Sequence, residues 1–241
     1  MKAMITGMNG AVAPFVYKEL LKRGIEVIVW DRSKVPTDDA QVVYDYIKET
    51  NPDVFFQIAT GPVEWLQYIA KATNELGIKL LFTSTVSVFS EKGTGPYTVE
   101  STPNAEEDYG RYKIECEETV RKYHQNAVIL RLGWQIGTEA GSNNMIDFLE
   151  RSFKEHGAIE ASSKWYPSTS FLPETARIIV EAALEYSPDT YLVNSNQKFH
   201  FYEIVNYLME KHKANWEIKE VTHFQRDDRM FDQRINIAEL F

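Results

Sequence analysis

An alternation of short apolar runs with longer segments of helical periodicity begins at the first residues and constrains the fold most strongly. The apolar runs have the length of buried strands and read "KAMIT", "IEVIVWD", "PDVFFQIA", "IKLLFTS" and "NAVILRLG". Between the earlier runs lie three segments typical of amphipathic helices, "PFVYKELLKR", "DDAQVVYDYIKET" and "VEWLQYIAKATNELG". Gly24 and Gly77 stand where the first and third of these helices should end. This order predicts βαβ units, and therefore an α/β fold with a doubly wound parallel sheet.

The alternation loosens after about residue 135, at the segment "GTEAGSNN". Two further helices are predicted near 144–155 and 173–186, followed by the strand "TYLVN" and a helix that begins near Phe201. We interpret residues 135–241 as the main source of a small C-terminal lobe. Because 241 residues with 44% hydrophobic content can fill one sizeable core and no linker interrupts them, we predict a single domain over residues 1–241.

Composition and charge exclude several classes of function. A net charge of −9 argues against binding to nucleic acid or to an anionic membrane, since both require a basic face. Cys116 is the single cysteine and no two histidines stand four residues apart, so we predict neither a disulfide nor a metal site. No leader-like segment and no apolar run near the roughly 18 residues of a membrane span is evident. We therefore expect a cytoplasmic protein with a small-molecule partner.

The segment "TGMNGAVA" between the first strand and the first helix carries Gly7, Gly10 and Ala13 at the G-x-x-G-x-x-G/A spacing. Such a turn lets the backbone approach a pyrophosphate and directs the free N–H groups of the helix at its charge. The alternative is that small residues here only make a tight turn. Asp31, 24 residues after Gly7 at the end of the second strand, favours a dinucleotide site because a carboxylate there binds ribose hydroxyls. The predicted cofactor-binding residues are Thr6, Gly7, Met8, Asn9, Gly10, Ala11, Asp31, Arg32, Ala59, Thr60 and Lys113.

Asp31 also bears on the choice between NAD and NADP. A carboxylate at this position repels a 2′-phosphate and so favours NAD. Arg32, Ser33 and Lys34 favour NADP instead, because they could surround that phosphate if Asp31 turned aside. A solvated turn without a role in binding is the third alternative for these residues. We predict a nicotinamide dinucleotide, with NAD favoured over NADP.

A tyrosine and a lysine stand four residues apart at three places: Tyr44 with Lys48, Tyr109 with Lys113, and Tyr207 with Lys211. In an open parallel sheet, ligands bind beyond the carboxyl ends of the strands. The first pair lies inside an early helix and the last pair in the final helix, where core packing and solvation explain them. Tyr109 instead follows the strand "IKLLFTS" and a hydroxyl cluster that includes Thr85. We therefore select Tyr109 and Lys113 as the candidate catalytic pair.

The segments "ITGMNGAVA", "FTSTVSVFS", "PYTVESTPNAEEDYGRYKIECEE" and "VILRLGWQIG", in this order, resemble the extended short-chain dehydrogenase/reductases. Within them the chain is most similar to the dTDP-4-dehydrorhamnose reductase group. The resemblance implies a Rossmann-type fold, an NAD(P) cofactor and reduction of a nucleotide-activated keto sugar. It also implies that Thr85 is the catalytic Ser/Thr, Tyr109 the catalytic tyrosine, and Lys113 the lysine that holds the nicotinamide ribose.

The chemistry of these residue types agrees with that assignment. A free tyrosine has a pKa of about 10, and a cation one helical turn away should lower it. Lys113 should therefore make Tyr109 a usable proton donor. Thr85 can hydrogen-bond the substrate oxygen where negative charge develops as hydride adds to a carbonyl. Tyr112, the neighbouring tyrosine, has the uncharged Cys116 four residues further on.

Two departures from the family pattern limit the inference about the substrate. The chain passes from Thr60 to the next helix almost at once, where the family has a longer segment that walls the site and contributes to dimers. The run "SSKWYPSTS" keeps only the Pro-Ser part of the family's motif. The predicted substrate contacts are Trp134, Asn143, Asn144 and Trp165, with core packing or turn formation as their alternatives.

These departures leave several functions open. A regulatory or scaffold subunit with the same cofactor fold is one alternative. A sugar-nucleotide epimerase or dehydratase is another, and a reductase of a different small carbonyl compound is a third. A homodimer is also compatible with the resemblance.

Overall fold

The computed structural model describes all residues from Met1 to Phe241. The strands are β1 (Lys2–Ile5), β2 (Glu26–Val29), β3 (Val54–Gln57), β4 (Lys79–Thr85), β5 (Val128–Leu132), β6 (Trp134–Ile136), β7 (Ile159–Ser162), β8 (Trp165–Tyr166), β9 (Thr169–Phe171), β10 (Thr190–Val193), β11 (Ile218–Val221) and β12 (Arg226–Asp227). The helices are α1 (Ala13–Lys22), α2 (Ala40–Thr50), α3 (Val63–Glu75), α4 (Asp108–Tyr123), α5 (Met145–His156), α6 (Leu172–Glu185) and α7 (Phe201–His212). None of these helices combines the length and the apolar character needed to cross a membrane.

Six parallel strands form the main sheet in the order β2-β1-β3-β4-β5-β10. Helices cover both of its faces, because successive residues of a strand point to opposite sides. In β1, Ala3 and Ile5 pack with α1 and α6, whereas Met4 packs with α2, α3 and α4. The predicted doubly wound parallel sheet is thereby confirmed.

The strand order reverses direction between β1 and β3, which opens a crevice at the carboxyl ends of the strands. The loops after β1, β3, β4 and β5 therefore meet at one edge of the sheet. The register of β4 and β5 pairs Thr85 with Leu132, so the last residue of each strand lies at this edge. The glycine loop and the predicted catalytic residues are brought together by this topology.

Short parallel strand pairs build the C-terminal part of the chain: β6 with β9, β7 with β11, and β8 with β12. This part of the chain has a separate hydrophobic cluster, to which α5 and α7 contribute and which contains Ile136, Leu149 and Phe201. The segment around β12 also pairs with the loop that precedes α4, where the Gly95 N–H donates to the Asp227 carbonyl at 2.7 Å. This contact connects the C-terminal lobe to the chain that leads to Tyr109.

A buried ion pair fixes α4 against the sheet. Both carboxylate oxygens of Glu117 accept hydrogen bonds from the Arg131 guanidinium, at 2.9 and 2.8 Å. The Ser84 hydroxyl donates to the same carboxylate at 2.6 Å, and Arg121 donates at 2.8 Å. Burial alone would raise the pKa of Glu117, but these bonds outweigh it and hold the pKa below its usual value of 4.5.

We predict that Arg131→Met lowers the free energy of unfolding by about 3–5 kcal/mol, because it leaves the Glu117 carboxylate buried without its main partner. Urea unfolding followed by circular dichroism measures this. The double variant Glu117→Gln with Arg131→Met should recover part of the loss, and Lys92→Met, in the exposed Lys92–Glu106 pair, should leave the midpoint unchanged. A folded carboxyl with a lowered pKa stabilises the protein above pH 4.5 and loses that effect as the pH falls through the folded pKa. An Arg131→Met midpoint equal to that of the parent would contradict this account.

Candidate active site

The glycine loop after β1 is held against the end of β3. Gly7 has φ of +92°, and a Cβ there would lie 3.0 Å from the Ala59 nitrogen, so only glycine fits without strain. The Thr6 hydroxyl accepts from the N–H groups of Ile58 and Ala59, both at 3.0 Å. The Gly10 N–H donates to the Gly7 carbonyl at 2.8 Å, which closes the turn. Thr6 thus shapes the loop that was predicted to bind the cofactor.

The start of α1 fits the pyrophosphate of a dinucleotide. Val12 occupies the N-cap position and provides no side-chain hydrogen bond, so the first turn of the helix has no side-chain cap. A Cβ at Gly10 would meet only the Gly7 carbonyl oxygen, at 3.3 Å, and the space beside this residue is otherwise open. Met8, Asn9 and Ala11 complete the partly exposed rim of the loop. An anion placed here would take the role of the missing cap.

Asp31 and Arg32 lie beyond the end of β2 and point to different partners. One oxygen of Asp31 accepts from the Ser33 N–H at 2.9 Å and from its hydroxyl at 2.6 Å. The pKa of Asp31 is lowered, chiefly by these Ser33 hydrogen bonds, so the group stays ionised. The Arg32 guanidinium lies 4.6 Å from the Trp65 ring and donates to the Thr60 carbonyl. Arg32 is thus oriented toward the loop after β3.

Only five residues, Ile58 to Pro62, connect β3 to α3, as the sequence predicted. Tyr112 braces this loop from the side of α4: its hydroxyl donates to the Gly61 carbonyl at 2.8 Å and accepts from the Gly61 N–H at 3.2 Å. Ala59 and Thr60, predicted cofactor contacts, lie in this braced loop. Tyr112 was set aside as a catalytic candidate, and the structure gives it a structural role that its sequence position did not signal.

Tyr109 and Thr85 meet at the crevice. Tyr109 lies in the first turn of α4 with half of its surface exposed, and Thr85 ends β4. Burial raises the pKa of Tyr109, and the nearby Thr85 hydroxyl opposes this rise only in part. The expectation that Lys113 lowers the pKa of Tyr109 is therefore wrong for the chain described here.

The position of the Lys113 ammonium explains that difference. Its Nζ donates to the Thr83 carbonyl at 2.9 Å and lies 4.8 Å from the centre of the Phe82 ring. The side chain is almost fully buried, and burial lowers the pKa of Lys113 to about 8. Lys113 is thus held beside the last residues of β4, with its charge directed at a backbone oxygen.

The other two Tyr–Lys pairs serve packing. The Tyr44 hydroxyl donates to Glu75 at 3.0 Å across the α2–α3 surface. The Tyr207 ring stacks 3.9 Å from the Phe241 ring, and Lys211 lies over Phe171 instead of reaching the crevice. The Tyr44 hydroxyl is bonded to a helix and the Tyr207 ring is stacked on Phe241, which agrees with the selection of Tyr109.

Trp134 and Trp165, two predicted substrate contacts, lie side by side. Their rings stack with centroids 5.9 Å apart and planes inclined by 20°. Phe148 packs on the edge of Trp134, and Phe224 packs on the edge of Trp165. We call these four residues, together with Phe201, which packs against Trp165, the aromatic wall. Trp134 follows β5 by two residues, so the wall lies beside the crevice at the carboxyl ends of the strands.

The two asparagines differ from this pattern. Asn144 is buried at the N-cap of α5, where its side-chain oxygen accepts from Ile146 and Asp147 and its amide donates to Glu139 and Gly141 carbonyls. All of its hydrogen-bonding capacity is used, so its turn-forming alternative is the better description. Asn143 is exposed and has φ of +55°.

Sequence reasoning missed three polar residues that hold this region together. Asn194 and Asn196 follow β10, and their amides fix the backbone of Thr169 and Pro167 at 2.9 and 2.8 Å. Asp228 is buried and accepts from the Ser168 N–H at 2.6 Å. The only signal in the sequence is a run of polar residues, "NSNQ", after an apolar strand, which is equally typical of an exposed turn.

Comparison with known proteins decides the family. A family model described as the RmlD substrate binding domain matches residues 63–227. The chain belongs to the RmlD family. The predicted similarity to the dTDP-4-dehydrorhamnose reductase group is confirmed at this level, and with it the assignment to the oxidoreductases.

Curated relatives share between a fifth and a third of their aligned residues with this chain. The spore coat polysaccharide biosynthesis protein SpsK of Bacillus subtilis is 22% identical over 237 residues, which are 92% of this chain and 83% of that protein. The dTDP-4-dehydrorhamnose reductase of Sinorhizobium fredii is 27% identical over 150 residues, 56% of this chain. That match spans half the length of the Sinorhizobium protein.

Solved structures share the fold of this RmlD-family chain. A dTDP-4-dehydrorhamnose reductase from Clostridium acetobutylicum superposes with a TM-score of 0.85 at 19% identity, covering 99% of this chain and 95% of its own. The enzyme of the same name from Bacillus anthracis, solved in complex with NADP, has a TM-score of 0.84 at 18% identity, covering 99% and 95%. The Rossmann-type fold expected from the sequence is thereby confirmed.

We predict that one lysine titrates apart from all others. In ¹³C NMR of lysine Cε groups, the Lys113 signal should shift with a pKa of about 8, while exposed lysines shift near 10. The Lys113→Met variant should lose that signal, and Lys48→Met, from a pair outside the crevice, should keep it. Because the pKa of folded Lys113 is lower than that of the unfolded chain, stability should rise with pH between about 8 and 10.5. A set of lysines that all titrate together near 10 would contradict the burial argument.

Proposed function

We propose that this protein is an NAD(P)-dependent reductase of a nucleotide-activated keto sugar. One observation carries the proposal: Tyr109, Thr85 and Lys113 converge at the carboxyl edge of the sheet, beside an uncapped glycine loop. Membership of the RmlD family supports it, as do the named activities of the relatives. A Haloferax volcanii relative, 25% identical over 178 residues, is a probable low-salt glycan biosynthesis reductase.

The proposed roles combine the positions of these residues with what the family resemblance implies. The nicotinamide cofactor, when bound, supplies the hydride that adds to the substrate carbonyl carbon. Tyr109 gives its hydroxyl proton to the carbonyl oxygen, which otherwise becomes an alkoxide. Thr85 hydrogen-bonds the same oxygen as its negative charge grows. Lys113 would hold the ribose of the bound cofactor, which is the role that the resemblance to the dehydrogenase/reductases implies.

The cofactor site favours NAD through Asp31. This carboxylate is ionised and exposed at the end of β2, where it can accept from two ribose hydroxyls and repel a 2′-phosphate. Arg32 is held by Trp65 and the Thr60 carbonyl, which directs its charge away from the position a 2′-phosphate would take beside Asp31. Structural neighbours contain both NADP and NAD, so a nicotinamide dinucleotide is common to the fold.

Trp134 and Trp165 are the proposed substrate contacts, with Asn143 at the exposed rim. Stacked indole faces suit the C–H face of a sugar ring or a nucleobase. Asn144 shapes the loop beside them without contacting the substrate. A cytoplasmic location and a homodimer remain predictions from the sequence.

A cofactor-binding regulatory subunit is the second candidate. The observation that favours it is the altered substrate lobe, where Arg229 is held by both oxygens of Asp227 instead of facing the crevice with a free guanidinium. The two functions differ in turnover. A protein that binds NADH firmly but reduces none of a panel of 4-keto nucleotide sugars would belong to the second class.

We predict that Gly10→Val abolishes binding of NADH and NADPH while the fold is retained. A side chain at Gly10 fills the space beside the first turn of α1 but meets only one backbone atom at 3.3 Å. Isothermal titration calorimetry measures the affinity, and thermal unfolding measures the fold. Gly7→Val should instead destabilise the protein, because its φ of +92° strains any side chain. NADH binding unchanged in Gly10→Val would rule out this cradle.

Tyr109→Phe should slow the chemical step by roughly 10²- to 10⁴-fold, the range expected for loss of a general acid. The ring is retained, so stability and cofactor affinity should change little. Single-turnover oxidation of NADH, followed by absorbance with a 4-keto nucleotide sugar, measures this step. Thr85→Ala should slow the same step through loss of the hydrogen bond to the developing oxyanion.

Tyr44→Phe is the matched control for this experiment. It removes a tyrosine hydroxyl that is hydrogen-bonded at the α2–α3 surface, far from the strand ends. Its turnover should equal that of the parent protein. Equal rates for the parent and Tyr109→Phe would remove Tyr109 from the mechanism.

A further inference from the structure

Asp228 is a buried carboxylate in the C-terminal lobe that the proposed chemistry does not use. It follows β12 directly, and only 6% of its surface is exposed. Three donors converge on its two oxygens. The Ser168 N–H donates to one oxygen at 2.6 Å, while the Trp165 indole N–H, at 3.4 Å, and the Arg226 guanidinium, at 3.1 Å, face the other.

These bonds connect Asp228 to both tryptophans of the aromatic wall. Trp165 is held directly through its indole nitrogen. Trp134 is held through Ser168, whose carbonyl accepts from the Trp134 N–H at 2.7 Å. The same short segment continues into β9, where the Thr169 hydroxyl donates to the Trp134 carbonyl. The Asp228 carboxylate therefore holds the indole nitrogen of Trp165 directly and the backbone of Trp134 through Ser168.

We propose that Asp228 is a positioning residue that holds Trp134 and Trp165 in their mutual orientation. The shape of the aromatic wall therefore depends on the ionisation of this carboxylate. The reason is the charge that the three donors face. An ionised carboxylate attracts the Arg226 guanidinium and accepts strong, charge-assisted hydrogen bonds, whereas a protonated carboxyl is neutral. Protonation thus removes the ion pair with Arg226 and weakens the bonds that hold Trp165 and Ser168.

The charges around Asp228 place this change in an accessible pH range. Burial, with a smaller contribution from the neighbouring Asp227, raises the pKa of Asp228 to about 6, against the effect of Arg226. Glu91 lies 3.4 Å from the same Arg226 guanidinium, and the Tyr97 hydroxyl group also lies within the field of Asp228.

Circular dichroism of the aromatic bands tests the proposal on the whole chain, without any ligand. These bands depend on the fixed mutual orientation of rings such as the stacked indoles. The parent protein should show a transition with a midpoint near pH 6 between pH 4.5 and 8. Asp228→Asn should show the low-pH spectrum at pH 7.5 and no transition, because an amide has one acceptor oxygen for three donors.

Two control variants assign the transition. His200→Asn removes the histidine that lies 6.1 Å from Tyr166 and keeps a residue suited to cap α7, so the transition should persist. Trp216→Phe alters a buried tryptophan outside the wall and should also keep it. Trp165→Phe should remove most of the change. A spectrum of the parent that is constant from pH 5 to 8, or a transition that persists in Asp228→Asn or in Trp165→Phe, would overturn the proposal.

A kinetic experiment extends the test and rests on the proposed function. At pH 7.5, Asp228→Asn should raise KM for the nucleotide sugar about tenfold and change kcat by less than about threefold, since the wall binds substrate but touches no reacting atom. An Asp228→Asn variant that turns over the substrate with the KM of the parent protein would overturn the inference. If the parent protein shows the pH transition but no turnover, the inference about Asp228 is supported and the proposed function is contradicted.

Discussion

The carboxylate of Glu117 is the contact on which the geometry of the crevice depends. Tyr109, Lys113 and Glu117 stand at four-residue intervals on one face of α4, so the rotation of this helix places all three together. Glu117 is clamped by Arg131 of β5 and by Ser84, the residue before Thr85. The hydrogen bonds that stabilise the buried Glu117 charge therefore also fix α4, which carries Tyr109, against β4, which carries Thr85.

Two braces compensate for the short connection after β3. Tyr112 bonds to Gly61 from α4, and Arg32 bonds to Thr60 from the loop after β2. The loop is thus held between α4, which carries the proposed catalytic pair, and the segment after β2 that carries Asp31. A shift of either element would therefore move Ala59 and Thr60, the predicted cofactor contacts.

The sheet could be predicted from the sequence because its order follows from local periodicity, and β3 and β5 are buried throughout. The glycine loop was predictable because Gly7, Gly10 and Ala13 recur at three-residue spacing between an apolar strand and a helix. The helices of the C-terminal lobe were also predictable from their periodicity, and α5 and α7 lie where the sequence predicts them. Its short strand pairs were not, because β8 and β12 have two residues each and pair across 61 positions, with no local pattern. Asn144 was misread because caps and sugar contacts use the same amide. The pKa of Tyr109 was misjudged because spacing does not reveal where an ammonium points.

The pairing of β12 with both β8 and the loop at Gly95 has a consequence for biosynthesis. Residues of all six sheet strands precede Lys198 in the chain, whereas β12 emerges from the ribosome later. The six-stranded sheet can therefore form before β12 is available. At that point the aromatic wall and the loop before α4 still lack their contacts with β12 and Asp228. At that stage the nascent chain has the proposed cofactor loop but lacks the contacts that complete the aromatic wall, and partly folded chains of this kind expose apolar surface.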